Sequence, residues 1–158
     1  MRTCVSAAIG FVGGLALMGV AVWLTMPRMM LVTHESRFDD VDRTAAALKA
    51  AIEEQNGWRC PAIRNMNASL EKEGQAMEQQ ISIVELCNAA YAREVLTDAP
   101  EVSTLMPCAW GIYKRNGKVL ITGMNTGLMG KMFGGTIARV MGGSVTADET
   151  AILEKVTR

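Results

Sequence analysis

The sequence predicts an α+β domain that follows a single N-terminal transmembrane helix. Three patterns indicate it: an uncharged apolar run at the N-terminus, β-branched runs typical of strands, and helical spacings of apolar residues between those runs. The chain has 158 residues. Once an anchor is set aside, about 130 remain, which is enough for one hydrophobic core and too few for two.

The N-terminal run from Cys4 to Met26 contains no charged side chain. At about 1.5 Å per residue, such a run can cross a hydrocarbon core about 30 Å thick. A cleaved signal peptide is the alternative, but its apolar core would be shorter. We therefore predict an uncleaved anchor over residues 1–28. It places the protein in the inner (cytoplasmic) membrane as a single-pass protein, with the globular domain of residues 29–158 on the periplasmic, extracytoplasmic side.

The soluble part is expected to open with a strand over residues 30–34. A helix follows, capped by Asp39 or Asp40, with apolar positions spaced by four, three and four residues. Asn56-Gly57 is expected to end it in a left-handed cap. The next stretch, residues 58–74, predicts irregular structure or a distorted strand pair.

A second strand is predicted at Ile81–Leu86 from its β-branched residues. Asn88 can cap a short helix that runs through Leu96 and closes before Pro100. The pair Asn116-Gly117, between two apolar runs, predicts a β-hairpin because both turn positions require positive φ.

After Asn125, one glycine-spaced helix is predicted across residues 128–141, because its apolar residues cluster on one side of a helical wheel. Gly142-Gly143 is expected to stop that helix. Thr146 and Glu149 then match a capping box that opens a final helix.

Charge and motif content exclude several classes of function. The 16 basic and 16 acidic side chains balance, which argues against a nucleic-acid binder with a basic surface. The chain has one histidine, His34, and no CxxC pair, so histidine-based zinc sites and thioredoxin-like chemistry are not supported. An enzyme ranks last, because no acid, base or nucleophile is identifiable beyond a cysteine.

Three segments carry a resemblance to a known family. They are Leu86-Cys87-Asn88 followed by Ala92, Leu105-Met106-Pro107-Cys108, and the Met-rich stretch from Met124 to Gly135. With these segments the chain resembles the domain-of-unknown-function 302 family, in what looks like a Met-rich, membrane-anchored branch.

The resemblance implies a two-layer α/β fold of the TATA-box-binding-protein type with an antiparallel sheet, and a homodimer. The fold name implies no DNA binding here. This chain has Ala89 where the family usually has proline, which puts any strict geometry at Cys87 in doubt.

Within the family context, Cys87 and Cys108 are the cysteines that bear motifs. Cys87 is expected at a strand end before a helix N-terminus, where a thiolate is favoured. If the two strands are neighbours, the two sulfurs could face one another. They could form a disulfide, join Met106 or Met124 in a soft-ligand site for Cu(I) or haem, or be buried as small hydrophobic residues.

Two functions are therefore predicted. The first is a membrane-tethered accessory module that binds a soft metal or haem, or that performs thiol redox chemistry, through Cys87 and Cys108. The second is a homodimeric structural or interaction protein that binds a partner or a lipophilic ligand with the apolar helix of residues 128–141. The interaction face of that helix is expected at Leu128, Met132, Phe133 and Ile137.

Overall fold

The computed structural model describes residues 14, 18–20, 22, 24–26 and 28–158. Most of the anchor predicted over residues 1–28 therefore lies outside the described residues. Among those that are described, no helix has the length and apolarity needed to cross a membrane.

The domain has an α+β architecture, as the sequence predicts. Its strands are β1 (Leu31–Glu35), β2 (Trp58–Arg59), β3 (Ile63–Asn65), β4 (Ile81–Asn88), β5 (Cys108–Arg115) and β6 (Lys118–Met124). Its helices are α1 (Val41–Glu54), α2 (Met66–Lys72), α3 (Ala89–Asp98), α4 (Thr126–Phe133), α5 (Gly135–Arg139) and α6 (Thr146–Glu154). A 3₁₀ segment (Pro100–Leu105) precedes β5, and a π-helical segment (Val140–Val145) joins α5 to α6.

The six described strands form one antiparallel sheet in the order β1-β6-β5-β4-β2, with β3 also paired to β4. Alternate residues of the central strands are buried on one face of the sheet, where they join a single core with apolar residues of the helices. Trp110 packs directly over Gly123 in this core. A Cβ at Gly123 would lie 2.1 Å from a Trp110 ring carbon, so only glycine fits there.

Several local predictions are confirmed. The Asp40 side chain caps α1 by accepting a hydrogen bond from the Arg43 amide at 2.7 Å, and Asn88 caps α3 in the same way. The hairpin turn has positive φ at both Asn116 (52°) and Gly117 (78°). The stretch predicted as irregular contains the short strands β2 and β3 and also α2.

The single helix predicted across residues 128–141 is wrong in one respect. Gly134 and Gly135 both adopt positive φ, at 72° and 53°, and this divides the segment into α4 and α5. Gly142-Gly143 does not end the helical structure as predicted, because both glycines lie within the π-helical segment that leads into α6. Close packing of α4 against the π-helical segment explains why position 130 is glycine. A Cβ on Gly130 would lie 2.6 Å from the Gly142 Cα.

Candidate ligand site

A cavity of about 380 Å³ opens where β5 begins and β6 ends. Because the two strands are antiparallel, the start of one and the end of the other lie at the same end of the sheet. Helix α4, helix α6 and the segment before β5 complete its walls. The lining residues are Leu31, Thr104, Leu105, Met106, Pro107, Cys108, Ala109, Thr122, Gly123, Met124, Thr126, Met129 and Glu149.

This cavity, called the sulfur cavity below, contains three of the four sulfur residues predicted as ligands. Cys108 is the first residue of β5, Met106 precedes it by two positions, and Met124 is the last residue of β6. Met129 of α4 adds a fourth sulfur that the sequence analysis did not assign to a site. The fold therefore brings sulfur-containing residues from separate segments to one cavity.

Cys87 is not positioned as expected. Strands β4 and β5 are neighbours, but the register pairs Cys108 with Leu86. Cys87 is the next residue along β4, so the register does not place it opposite Cys108. Cys87 instead lines a separate cleft of about 20 Å³, which also touches Met106 and Cys108.

The cysteine pair expected from the sequence is therefore corrected. Cys60, Cys87 and Cys108 are all free thiols in the described part of the chain. The helix-stabilised thiolate expected at Cys87 is not supported either. The Asn88 side chain accepts from the Ala90 and Tyr91 amides at the start of α3, and burial raises the pKa of Cys87.

Cys108 is also a neutral thiol at neutral pH. Burial, with smaller contributions from the charges of Glu149 and Cys87, raises the pKa of Cys108 to about 12. A thiol with a raised pKa is a weak nucleophile, because the thiolate is the reactive form. The structure therefore provides thiol donors rather than an activated thiolate.

Glu149 is a buried carboxyl group that faces the sulfur cavity, with 7% of its surface exposed. Thr126 Oγ1 donates a hydrogen bond to Glu149 Oε2 at 2.8 Å. Burial raises the pKa of Glu149 to about 7, although the Thr126 hydrogen bond acts in the opposite direction. Glu149 also lines an adjoining pocket of about 260 Å³ that includes His34.

The capping box predicted at Thr146 and Glu149 is wrong. Helix α6 continues from the π-helical segment without a free N-terminus, and Thr146 Oγ1 donates to the Met141 carbonyl at 2.8 Å. The spacing of Glu149 from the apolar residues around it indicates that its side chain is buried. It occupies a position in the buried stripe formed with Val145, Ile152 and Val156, at intervals of four, three and four residues.

Asp148, the neighbour of Glu149, lies in a different environment. Its carboxylate accepts hydrogen bonds from Trp58 Nε1 at 2.9 Å, Tyr91 Oη at 3.2 Å and Gln55 Nε2 at 3.1 Å. Three elements of the fold are thus joined to α6 through one side chain. Sequence patterns do not reveal this cluster, because its members are distant in the chain.

The four residues predicted for an interaction face differ in their exposure. Met132 and Phe133 are 50% and 53% exposed at the end of α4, and Leu128 lines an apolar groove beside them. Ile137 is buried at 7% exposure, so it is not part of that face. The break at Gly134 separates it from α4 and places it in α5, which packs inward.

Conventional metal sites are not present in the described part of the chain. No group of three or more His, Cys, Asp or Glu side chains is arranged there to hold a metal ion. Any metal in the sulfur cavity would therefore be bound largely by methionine thioethers together with Cys108.

Comparison with known proteins places the fold and the family. The structure is similar to the crystal structure of an uncharacterized conserved protein, DUF302, from Bacillus stearothermophilus, with a TM-score of 0.69 and 19% sequence identity. The similarity covers 80% of this chain and 98% of that one. A comparison with curated proteins gives no match. The model of the family described as Domain of unknown function DUF302 matches residues 32–155, and the chain therefore belongs to that family.

Proposed function

We propose that this protein is a membrane-tethered accessory module that binds Cu(I) in the sulfur cavity. One observation supports the proposal: Met106, Cys108, Met124 and Met129 come from three separate segments and line the same cavity. Thiolate and thioether donors are soft ligands, and Cu(I) is the soft ion that they select.

Cys108 supplies the anionic donor in this proposal. A thiol loses its proton when it binds a metal, so binding expels the proton that the raised pKa retains in the free protein. Glu149 lines the same cavity and can take up that proton. The three methionines add neutral thioether donors.

The other two sulfur-based functions receive less support. Thiol redox chemistry requires a reactive thiolate, whereas the thiols of Cys87 and Cys108 both have raised pKa values. Haem is the other cofactor that we predict from the sequence. A cavity of about 380 Å³ is at the small end of the range for organic ligands, which favours an ion over a macrocycle.

The cellular setting belongs to the same proposal. The uncharged run from Cys4 to Met26 would tether the domain to the inner membrane, with residues 29–158 on the periplasmic side. The family resemblance supports a homodimer, a fold of the TATA-box-binding-protein type and a Met-rich, membrane-anchored branch. Balanced charge continues to favour no role in binding nucleic acid.

Anaerobic Cu(I) titration against a chromophoric chelator tests the proposal. We expect one equivalent to bind, and we expect Cys108→Ser and Met124→Leu each to weaken binding, the cysteine variant by about 100-fold or more. Cys60→Ser is the matched control, because Cys60 is also a free, partly buried thiol but does not line the cavity.

Equal affinity in all four proteins would refute the proposal. Loss of binding in Cys60→Ser alone would place the metal elsewhere. A haem absorption band in the protein as purified would replace Cu(I) with the other predicted cofactor.

A further inference from the structure

A second, apolar surface lies beside the start of β1 and adjoins the sulfur cavity, with which it shares Leu31. Met29, Met30 and Leu31 are about half exposed where the chain enters the domain, and Met132 and Phe133 are equally exposed at the end of α4. We call these five residues the exit patch. Large apolar side chains rarely gather on a surface without a partner.

One side chain ties the two halves of the exit patch together. The backbone N–H of Asn125 donates to the Met30 carbonyl at 2.8 Å, and its side-chain Nδ2 donates to the Met29 carbonyl at 3.0 Å. Its side-chain oxygen also caps α4 by accepting from the Leu128 amide at 2.9 Å. Helix α4 is therefore held directly against the segment that follows the predicted anchor.

A groove of about 260 Å³ runs between the two halves. Its walls are apolar except for Asn125, and they include Leu105, Leu128 and Met129 in addition to members of the exit patch. Such a groove can receive a flexible hydrocarbon chain without leaving buried polar groups unpaired.

The charged residues on the two segments that form the exit patch are basic. Arg28 directly precedes the patch, and Lys131 is exposed on α4 beside Met132. Neither α4 nor the segment from Arg28 to Leu31 contains an acidic residue. Apolar residues flanked by exposed basic residues are typical of surfaces that insert into an anionic membrane interface.

We propose that the exit patch inserts into the lipid interface of the membrane that holds the anchor, so that the domain lies on the bilayer in a fixed orientation. The inference rests on the membrane tether of the proposed function. Its specific support is the position of the patch, which begins three residues after the uncharged run ends at Met26.

Quenching of tryptophan fluorescence by lipids brominated on the acyl chain near the headgroup tests this orientation. The full chain, with Trp23→Phe as background, is reconstituted in vesicles of zwitterionic and anionic phospholipid. Phe133→Trp reports on the exit patch, and Lys114→Trp is the matched control. Lys114 is exposed on the β5–β6 hairpin, at the opposite end of the sheet from Leu31 and Met124.

We expect Phe133→Trp to add emission that is quenched at least about twofold more than that added by Lys114→Trp. Met132→Trp should behave like Phe133→Trp, which guards against a folding defect at one position. Equal quenching at both ends of the domain would overturn the inference while leaving the tether intact. A blue-shifted emission from position 133 that the lipids do not quench would show that the exit patch is covered by a second copy of the chain instead.

A full chain that fails to enter vesicles would remove the tether, and the inference with it. The Cu(I) titration is independent of that outcome, so the two proposals fail separately.

Discussion

Asp148 and Glu149 are adjacent acidic residues with opposite surroundings. Asp148 is half-buried and accepts hydrogen bonds from Trp58, Tyr91 and Gln55. Glu149 is buried, and Thr126 is its one side-chain donor within the described residues. Asp148 joins elements of the fold, whereas Glu149 faces a cavity lined with sulfur.

The difference separates a structural carboxylate from a candidate functional one. A carboxylate that already accepts from three donors has little remaining acceptor capacity for a ligand. A buried carboxyl group with one donor retains acceptor capacity, and its burial raises its pKa to about 7. Perturbed acids in cavities are more typical of functional sites than of ordinary cores.

The largest expected effect is on stability, from Asp148→Ala. The substitution leaves the buried Trp58 indole N–H without its acceptor and removes two further hydrogen bonds, so we expect a loss of about 3 kcal/mol of unfolding free energy. Urea denaturation of residues 28–158 measures it. Asp39→Ala, at an exposed position, is the control and should change stability by less than about 0.5 kcal/mol. An Asp148→Ala protein as stable as this control would contradict the structural role.

The next effect is a pH dependence that belongs to Glu149. Its folded pKa of about 7 lies above the ordinary value of 4.5. The fold therefore favours the protonated carboxyl, and the resulting stability is fully present below pH 4.5 and is lost as the pH rises through 7. We expect a decline of about 2 kcal/mol between pH 5 and pH 8.

Glu149→Gln should flatten this decline, because the amide retains the shape of the side chain but carries no titrating proton. Thermal or urea denaturation over the same pH range measures both proteins. An unchanged pH profile in Glu149→Gln would show that another group produces the decline, and would remove Glu149 as the perturbed acid of the cavity.

The smallest expected effect comes from Tyr91→Phe. It removes one donor to Asp148 while the ring keeps its edge contact with Trp58. We expect a loss of about 1 kcal/mol, since Asp148 keeps its bonds to Trp58 and Gln55. A loss as large as that of Asp148→Ala would mean that the cluster depends on Tyr91 alone.

The sequence predicts the fold well where local chemistry decides it. The caps at Asp40 and Asn88 and the turn at Asn116-Gly117 follow from short-range hydrogen bonding and backbone preference, and all three are confirmed. It fails from Gly134 to Thr146, because close packing of Gly130 on Gly142 sets that path. The spacing of apolar residues along the sequence does not predict such a contact between two glycines.

The candidate site is predicted in part for a similar reason. Residue type and family resemblance predict Cys108, Met106 and Met124 as candidate ligands, and the fold brings them to one cavity. Cys87 lies outside that cavity because the register of β4 and β5, which a sequence pattern does not reveal, pairs Cys108 with Leu86. Glu149 matches a capping box in the sequence, although its spacing from the apolar residues of α6 indicates a buried position instead.

X-ray absorption at the copper edge of the Cu(I)-loaded protein tests the central claim most directly. The account predicts a first shell made of sulfur alone in the wild-type protein and in Cys60→Ser, with the thiolate contribution lost in Cys108→Ser. A shell dominated by nitrogen or oxygen, or one unchanged in Cys108→Ser, would contradict the assignment of the sulfur cavity as the metal site.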